Sequence, residues 1–176
     1  MSEIKLFVEK WLNVENSFDE KSFSGKVIAI HAFQMLCPGC ILHGIPQAQR
    51  LHEAFNGDQV AVVGLHTVFE HHEAMKEVSL KAFLHEFRVK FPVGIDMSSA
   101  GDRIPRTMNH YKIQGTPTWL VFDRSGKLVM NAFGKVEDIV LSSVLTQLVL
   151  STQPSRSGIL REATTREDIG LHPTGN

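Results

Sequence analysis

The sequence predicts an α/β fold with a mixed β-sheet flanked by helices. Residues 27–33, VIAIHAF, and 59–66, QVAVVGLH, are β-branched apolar runs without alternation, a pattern typical of buried parallel strands. A helix is predicted between them from Pro38 to about Phe55, so strand, helix and strand form a right-handed crossover unit. Farther along, TWLVFD and LVMNAF are joined by the short glycine-containing link 124–127, which predicts an antiparallel hairpin.

The first residues are predicted to lie outside this fold. Residues 4–12, IKLFVEKWL, suit a short helix that would bury Leu6, Phe7 and Trp11. A polar stretch follows this segment, and the fold itself is expected to begin near residue 25. Residues 1–24 are therefore interpreted as an N-terminal extension.

The segment between the second strand and the hairpin is predicted to hold a helix, a strand and a short helix. Helical periodicity after the second strand comes from Met75, Val78, Ala82, Phe83 and Phe87. FPVGID then suits a short strand, and a short helix is expected from about 104 to 111.

A last helix and a tail complete the predicted organisation. The helix, from about 136 to 150, is expected to bury Ile139, Val140, Val144 and Leu148. Residues 151–176 are rich in Ser, Thr, Arg and Gly, which predicts a tail that is poorly ordered or packed on the surface. Residues 25–150 are predicted to form one domain, which agrees with a chain of 176 residues that is 43% hydrophobic.

Charge and hydropathy exclude several functions. The 18 basic and 19 acidic residues give a net charge of −1, so no field of one sign would attract nucleic acid, and nucleic acid is not an expected partner. No apolar run approaches the roughly 18 to 20 residues of a membrane helix, so no membrane span is predicted. The N-terminus lacks the pattern of a signal peptide, so the chain as given is expected to be cytoplasmic.

The only two cysteines, Cys37 and Cys40, form a CPGC motif directly after the first buried strand. A thiolate attacks a disulfide, and a helix N-terminus favours the thiolate through its free amides and dipole. Because Pro38 opens the helix, Cys37 is expected to be the attacking thiol with a lowered pKa. Cys40 follows one turn later and is expected to resolve the mixed disulfide that Cys37 forms.

Other uses of two close cysteines fit less well. A zinc site needs four ligands, and only His43 follows at helical reach, so no metal ligand set is predicted. A CxxCH haem site is excluded because Ile41 follows Cys40. No cofactor is expected, and the pattern favours redox chemistry at the two thiols.

CPGC after a buried strand, GTPT at 115–118 before another strand, and the hairpin near Asp123 together resemble the thioredoxin-like superfamily. The resemblance covers roughly residues 25–150 and is strongest to the TlpA/ResA-like and AhpC/TSA-like branch. That branch carries an inserted helix and strand in the middle of the thioredoxin fold, as expected here at about 73–96.

The resemblance implies several site residues besides the cysteines. In the family the proline of the TP motif is cis and packs beside the CxxC motif, and the residue before it offers its backbone to the substrate. The implied substrate-binding residues are Thr116, Pro117, Leu36, Pro38 and Gly39.

Two positions depart from the family pattern. Leu36 stands where many members have a tryptophan, so the flat aromatic contact for partners is absent. Pro46 lies one place later than the usual helix proline, which predicts a local distortion of the helix after Cys40.

Histidines supply the remaining candidates. His31 lies six residues before Cys37, where thioredoxins often keep a buried acid, so it is a candidate for taking the proton of Cys40. The alternative is a core histidine whose imidazole is hydrogen-bonded to backbone. His66, His71 and His72 cluster after the second strand, where a metal site, a pH-sensitive rim or plain surface histidines are the alternatives.

The predicted function is that of a thiol-disulfide oxidoreductase that reduces or exchanges protein disulfides through Cys37 and Cys40. Its expected partners are a disulfide-containing protein substrate and a thiol or disulfide electron donor. One alternative is a peroxiredoxin-like peroxidase, although residues 32–36 lack the proline and threonine of a PxxxTxxC site. The other is a non-enzymatic thioredoxin-fold module that binds or handles metal.

Overall fold

Six strands form one mixed sheet in the order β1-β4-β3-β2-β5-β6. The computed structural model describes residues 4–15, 18, 20–101 and 103–151. The strands are β1 Val8–Leu12, β2 Val27–Phe33, β3 Val60–His66, β4 Val93–Asp96, β5 Thr118–Phe122 and β6 Leu128–Phe133. β2, β3 and β4 run parallel to one another, and the other three neighbouring pairs are antiparallel. The predicted mixed α/β sheet is confirmed.

The helices follow the predicted order. A π-helical turn, Cys40–Gly44, continues into α1 Ile45–Ala54, and the later helices are α2 Glu77–Glu86, α3 Arg106–His110 and α4 Asp138–Leu150. α1 connects the parallel strands β2 and β3, both almost wholly buried, as predicted for a crossover unit. α2 and β4 are the inserted helix and strand expected at about 73–96.

The prediction of a helix over residues 4–12 is wrong, because this segment contains β1. β1 pairs antiparallel with β4, and a Cβ on Gly94 would lie 2.9 Å from a Val8 methyl, so the glycine allows β1 to approach closely. Long-range strand pairing here overrides the local helical pattern. Part of the predicted N-terminal extension, 1–24, is thus an edge strand of the sheet.

The buried faces of two helices also differ from the prediction. In α4 the buried residues are Leu141 and Leu145, whereas Ile139 is 77% exposed. In α2 they are Leu80 and Leu84. The apolar residues in DIVLSSVLTQLVL lie all around the helix, so periodicity alone does not select the side that meets the sheet.

The hairpin of β5 and β6 is confirmed, and it decides where the GTPT segment lies. The Asp123 carboxylate accepts hydrogen bonds from the N–H groups of Ser125 and Lys127 and thereby closes the turn. β5 runs antiparallel to β2, with Ala32 opposite Thr118. The start of β5 therefore meets the end of β2, directly beside the CPGC motif.

The remaining expectations concern the ends of the chain and membranes. The predicted tail, 151–176, lies outside the described residues except for Ser151. Over the described part of the chain, no helix has both the length and the apolar character needed to cross a bilayer.

Candidate active site

Cys37 lies at the junction between the loop after β2 and the helix that follows. Its backbone N–H donates to the carbonyl of Gln34, and its own carbonyl accepts the N–H of Ile41, which starts the helical bonding. The Cys37 side chain is half-buried, whereas Cys40, one turn later, is fully buried. Cys37 is thus the more exposed of the two thiols, in the order expected of an attacking and a resolving cysteine.

Two hydrogen bonds fix the Cys37 sulfur. The backbone N–H of Cys40 donates to Cys37 Sγ at 3.3 Å, and Cys37 Sγ donates to the carbonyl oxygen of Thr116 at 3.4 Å. An N–H donor aimed at sulfur stabilises negative charge on it, as expected at a helix N-terminus. Both thiols are free in this structure.

The Cys40 thiol is held in its protonated form. Burial, followed by the hydrogen bond with Cys37, raises the pKa of Cys40 to about 12. A buried thiol of such high pKa is a poor nucleophile toward external reagents. Cys40 is therefore suited to attack only a sulfur presented by Cys37.

The helix after Cys40 is distorted, as the position of Pro46 predicts. Residues Cys40–Gly44 form a π-helical turn, closed by a bond from the Ile45 N–H to the Cys40 carbonyl. Such a turn holds one more residue than an α-helical turn, and Pro46, at the start of α1, is displaced by one place.

His31 fits beneath this turn because residue 44 is a glycine. A Cβ on Gly44 would lie 2.3 Å from His31 Cε1 and Nε2, so any larger residue would clash with the ring. The imidazole also packs against Trp119, with ring centroids 4.9 Å apart.

Among the described residues, His31 has no hydrogen-bond partner at either ring nitrogen, although it is fully buried. The expectation that backbone groups satisfy its imidazole is therefore wrong. Burial lowers the pKa of His31 to about 3, so the ring is neutral at pH 7. With the pKa of Cys40 at about 12, the proton stays on sulfur in the resting dithiol.

Pro117 lies against the CPGC motif. The Thr116–Pro117 peptide bond is cis, the isomer that the resemblance implies. A Cβ on Gly39 would lie 3.2 Å from Pro117 Cδ, so the glycine of the motif permits this close approach. The fold thus brings Thr116, Pro117, Gly39 and Cys37 together.

Exposed apolar side chains lie next to the CPGC motif in the chain and near the GTPT segment. Leu36, which precedes Cys37, is 54% exposed, and Leu42 and Phe133 are 69% and 57% exposed. Leu42 and Pro117 line a groove of about 70 Å³. Pro38, inside the motif, is exposed as well. These exposed apolar side chains are suited to contact a polypeptide.

Gln34 is a residue of the site that the motif analysis did not identify. It is buried directly after β2, and its side chain bonds to the loop after β3 and to Thr116. The available signal was a single glutamine within the apolar segment HAFQML.

The three histidines at the end of β3 and after it differ in burial. His66 is buried, and burial lowers its pKa to about 4, whereas His71 and His72 are exposed. The described residues hold no group of three or more His, Cys, Asp or Glu side chains that could bind a metal ion.

Comparison with known proteins places the chain in a family. The thioredoxin-like superfamily protein SPOA0173 is 50% identical in its crystal structure, over 85% of this chain and 96% of its own, with a TM-score of 0.80. A thiol-disulfide isomerase from Corynebacterium glutamicum is 46% identical over 83% of this chain and 94% of its own, also with a TM-score of 0.80. The chain belongs to the thioredoxin-like superfamily.

Two more distant relatives are similar to the chain over a part of their length or in fold alone. Protein DipZ of Mycobacterium tuberculosis is 24% identical over 161 residues, which are 90% of this chain and 22% of DipZ. The chain therefore spans about a fifth of the length of this curated relative. StoA of Bacillus subtilis, 23% identical with a TM-score of 0.57, shares the fold. No family model matches the chain.

Proposed function

We propose that the protein is a thiol-disulfide oxidoreductase that reduces or exchanges protein disulfides with Cys37 and Cys40. The observation that carries the proposal is the arrangement of the thiols: a half-buried Cys37 that accepts the Cys40 N–H, above a fully buried Cys40. The Corynebacterium glutamicum relative, described as a thiol-disulfide isomerase, supports the same chemistry.

The reaction follows from the two positions. The Cys37 thiolate attacks one sulfur of a substrate disulfide, which forms a mixed disulfide and releases the other substrate sulfur as a thiolate. Cys40 then loses its proton and attacks Cys37 Sγ, which forms the Cys37–Cys40 disulfide and releases the second substrate thiol. Two electrons and two protons pass to the substrate, and a thiol donor restores the dithiol.

We assign substrate binding to Thr116, Pro117, Leu36, Pro38 and Gly39. The backbone at Thr116 is suited to pair with an extended substrate segment that presents its cysteine to Cys37. Leu36 and Pro38 offer exposed apolar contact beside the reacting sulfur. Gly39 leaves room for Pro117, which shapes the groove.

His31 stays a candidate for proton transfer. The low pKa of His31 disfavours proton transfer from the resting thiol. It would accept the Cys40 proton only as Cys40 attacks, when electron density moves to the leaving substrate sulfur and the Cys40 S–H becomes more acidic. His31→Ala should then slow resolution of the mixed disulfide more than the first attack, measured in separate single-turnover reactions. An unchanged ratio of the two rates, with a lower melting temperature, would make His31 a packing residue.

Insulin reduction and hydrogen peroxide consumption, assayed on one sample, test the proposal. We expect insulin reduction that depends on Cys37, and little loss of peroxide. Rapid peroxide consumption with no insulin reduction would favour the peroxidase alternative, and metal retained at one equivalent after purification would favour the metal-handling alternative.

The finer assignments belong to the same proposal. Within the superfamily we favour the TlpA/ResA-like branch over the AhpC/TSA-like one, because CPGC is present and PxxxTxxC is absent. Action in the cytoplasm would favour the reductive direction. Trapping the thiols of fractionated cells with an alkylating reagent tests this, and a mainly oxidised Cys37–Cys40 pair would contradict it.

A further inference from the structure

The Gln34 side chain connects three segments around the dithiol. Its Oε1 accepts the backbone N–H of Phe69 at 3.2 Å, in the loop after β3. Its Nε2 donates to Glu70 Oε1 at 3.4 Å and to Thr116 Oγ1 at 3.5 Å. The carbonyl of the same residue accepts the N–H of Cys37 at 3.1 Å. One residue therefore contacts the CPGC loop, the loop after β3 and the residue before Pro117.

A buried carboxamide at this position destabilises the fold unless its polar atoms form hydrogen bonds. Gln34 is 1% exposed and directly follows the apolar strand β2. Burying a polar group without hydrogen bonds is unfavourable, and an apolar side chain would be cheaper to bury in such surroundings. Both polar atoms of the Gln34 side chain and its backbone carbonyl form hydrogen bonds, and two of their partners, Thr116 and Cys37, belong to the proposed site.

We propose that Gln34 is a positioning residue for protein substrates, which holds Thr116 in register beside Cys37. The inference rests on the proposed function and deepens it. The Thr116 hydroxyl accepts a hydrogen bond from Gln34 Nε2. The Thr116 backbone carbonyl accepts a hydrogen bond from the Cys37 thiol. The carboxamide thus bonds the Thr116 side chain, and the backbone carbonyl of Thr116 in turn bonds the attacking sulfur.

The two bonds from Nε2 are long, and such bonds often tighten only when substrate is bound. A protein disulfide engages the Thr116 backbone as well as Cys37, whereas hydroxyethyl disulfide is too small to pair with the chain. Loss of the Gln34 carboxamide should therefore weaken reaction with a protein disulfide selectively. A purely structural role for Gln34 would affect both substrates alike.

The test uses prereduced protein and an excess of insulin or hydroxyethyl disulfide. Loss of protein thiols after rapid quenching is followed by mass spectrometry, and the rate is measured against substrate concentration. Gln34→Met keeps the length of the side chain and removes its polar groups. Thr116→Val removes the hydroxyl acceptor, keeps a similar shape, and serves if Gln34→Met fails to fold.

We expect both variants to raise the half-saturating insulin concentration about threefold to tenfold, the factor expected for loss of the Gln34–Thr116 hydrogen bond that both remove. In both variants the reaction with insulin should be slowed about threefold to tenfold more than the reaction with hydroxyethyl disulfide. Glu73→Gln, which removes an exposed ion pair with Lys76 on the same loop, is the matched control and should change neither rate by more than about twofold.

An equal loss with both substrates, or no loss with either, would overturn the positioning role of Gln34 and leave the oxidoreductase proposal standing. A wild-type protein that reduces neither substrate would overturn the proposed function and this inference with it. Selective loss of insulin reduction in Gln34→Met and Thr116→Val supports both.

Discussion

Alkylation of the reduced protein should separate the two thiols strongly. The pKa of Cys40 is raised to about 12 from an ordinary value of 9.0. Each pH unit below the pKa lowers the thiolate fraction tenfold, so at pH 7 its thiolate is about a thousandfold scarcer than that of an ordinary thiol. Higher basicity makes a thiolate more nucleophilic. With a Brønsted slope of about 0.4 to 0.5, the higher pKa raises the rate constant of the Cys40 thiolate about 20-fold and offsets part of this loss.

The net expectation is that Cys40 reacts about 50-fold more slowly than an ordinary exposed thiol, before steric protection is counted. Full burial of Cys40 slows it further, because a reagent reaches it only after local opening of the structure. Cys37 is only half-buried, so a reagent reaches its sulfur more readily than that of Cys40.

The assay is a time course with iodoacetamide at pH 7, followed by peptide mass mapping. We expect a single adduct at Cys37 while Cys40 stays unmodified, and equal labelling of both after unfolding in guanidinium. The reasoning would be refuted if Cys40 in the folded protein were labelled as fast as Cys37, and the assigned roles would then be reversed.

Three further outcomes are expected. Cys40→Ser should accumulate a mixed disulfide with a protein substrate, visible on non-reducing gels, and Cys37→Ser should accumulate none, because only Cys37 makes the first attack. Gly44→Ala should lower the free energy of unfolding in urea by about 1–3 kcal/mol, because the added methyl overlaps the fully buried His31 ring. Stability should also fall as the pH drops below 6.5, because the unfolded state binds protons that folded His31 and His66, with pKa values of about 3 and 4, do not. Between pH 7.5 and pH 5 the loss should be about 2 kcal/mol for each histidine, measured by urea unfolding.

Each of these outcomes has a control or a result that would contradict it. Equal trapping by the two cysteine variants would contradict their assigned order. Gly57→Ala, where a Cβ meets nothing within 4 Å, should leave the free energy of unfolding nearly unchanged. His66→Leu should remove about half of the acid sensitivity, and a wild-type stability that is flat from pH 7.5 to pH 5 would refute the assignment.

The sequence by itself determined the features that depend on neighbouring residues. Continuous apolar runs fix β2 and β3 as buried strands, and a short glycine-containing link fixes the hairpin. CPGC after a strand marks the dithiol, and the shifted Pro46 indicates the distortion that appears as the π-helical turn. Strand type, turn chemistry and helix irregularity are local properties, so a sequence pattern carries them.

Only the tertiary structure decided which distant segments meet. Residues 4–12 have a helical pattern, yet β1 forms because β4 offers an unpaired edge. Thr116 is 79 positions from Cys37, and the antiparallel register of β5 on β2 brings its carbonyl to the sulfur. The same register brings the Thr116 hydroxyl within 3.5 Å of Gln34 Nε2. Strand register and helix facing depend on packing against partners far away in the chain, and local sequence does not encode those partners.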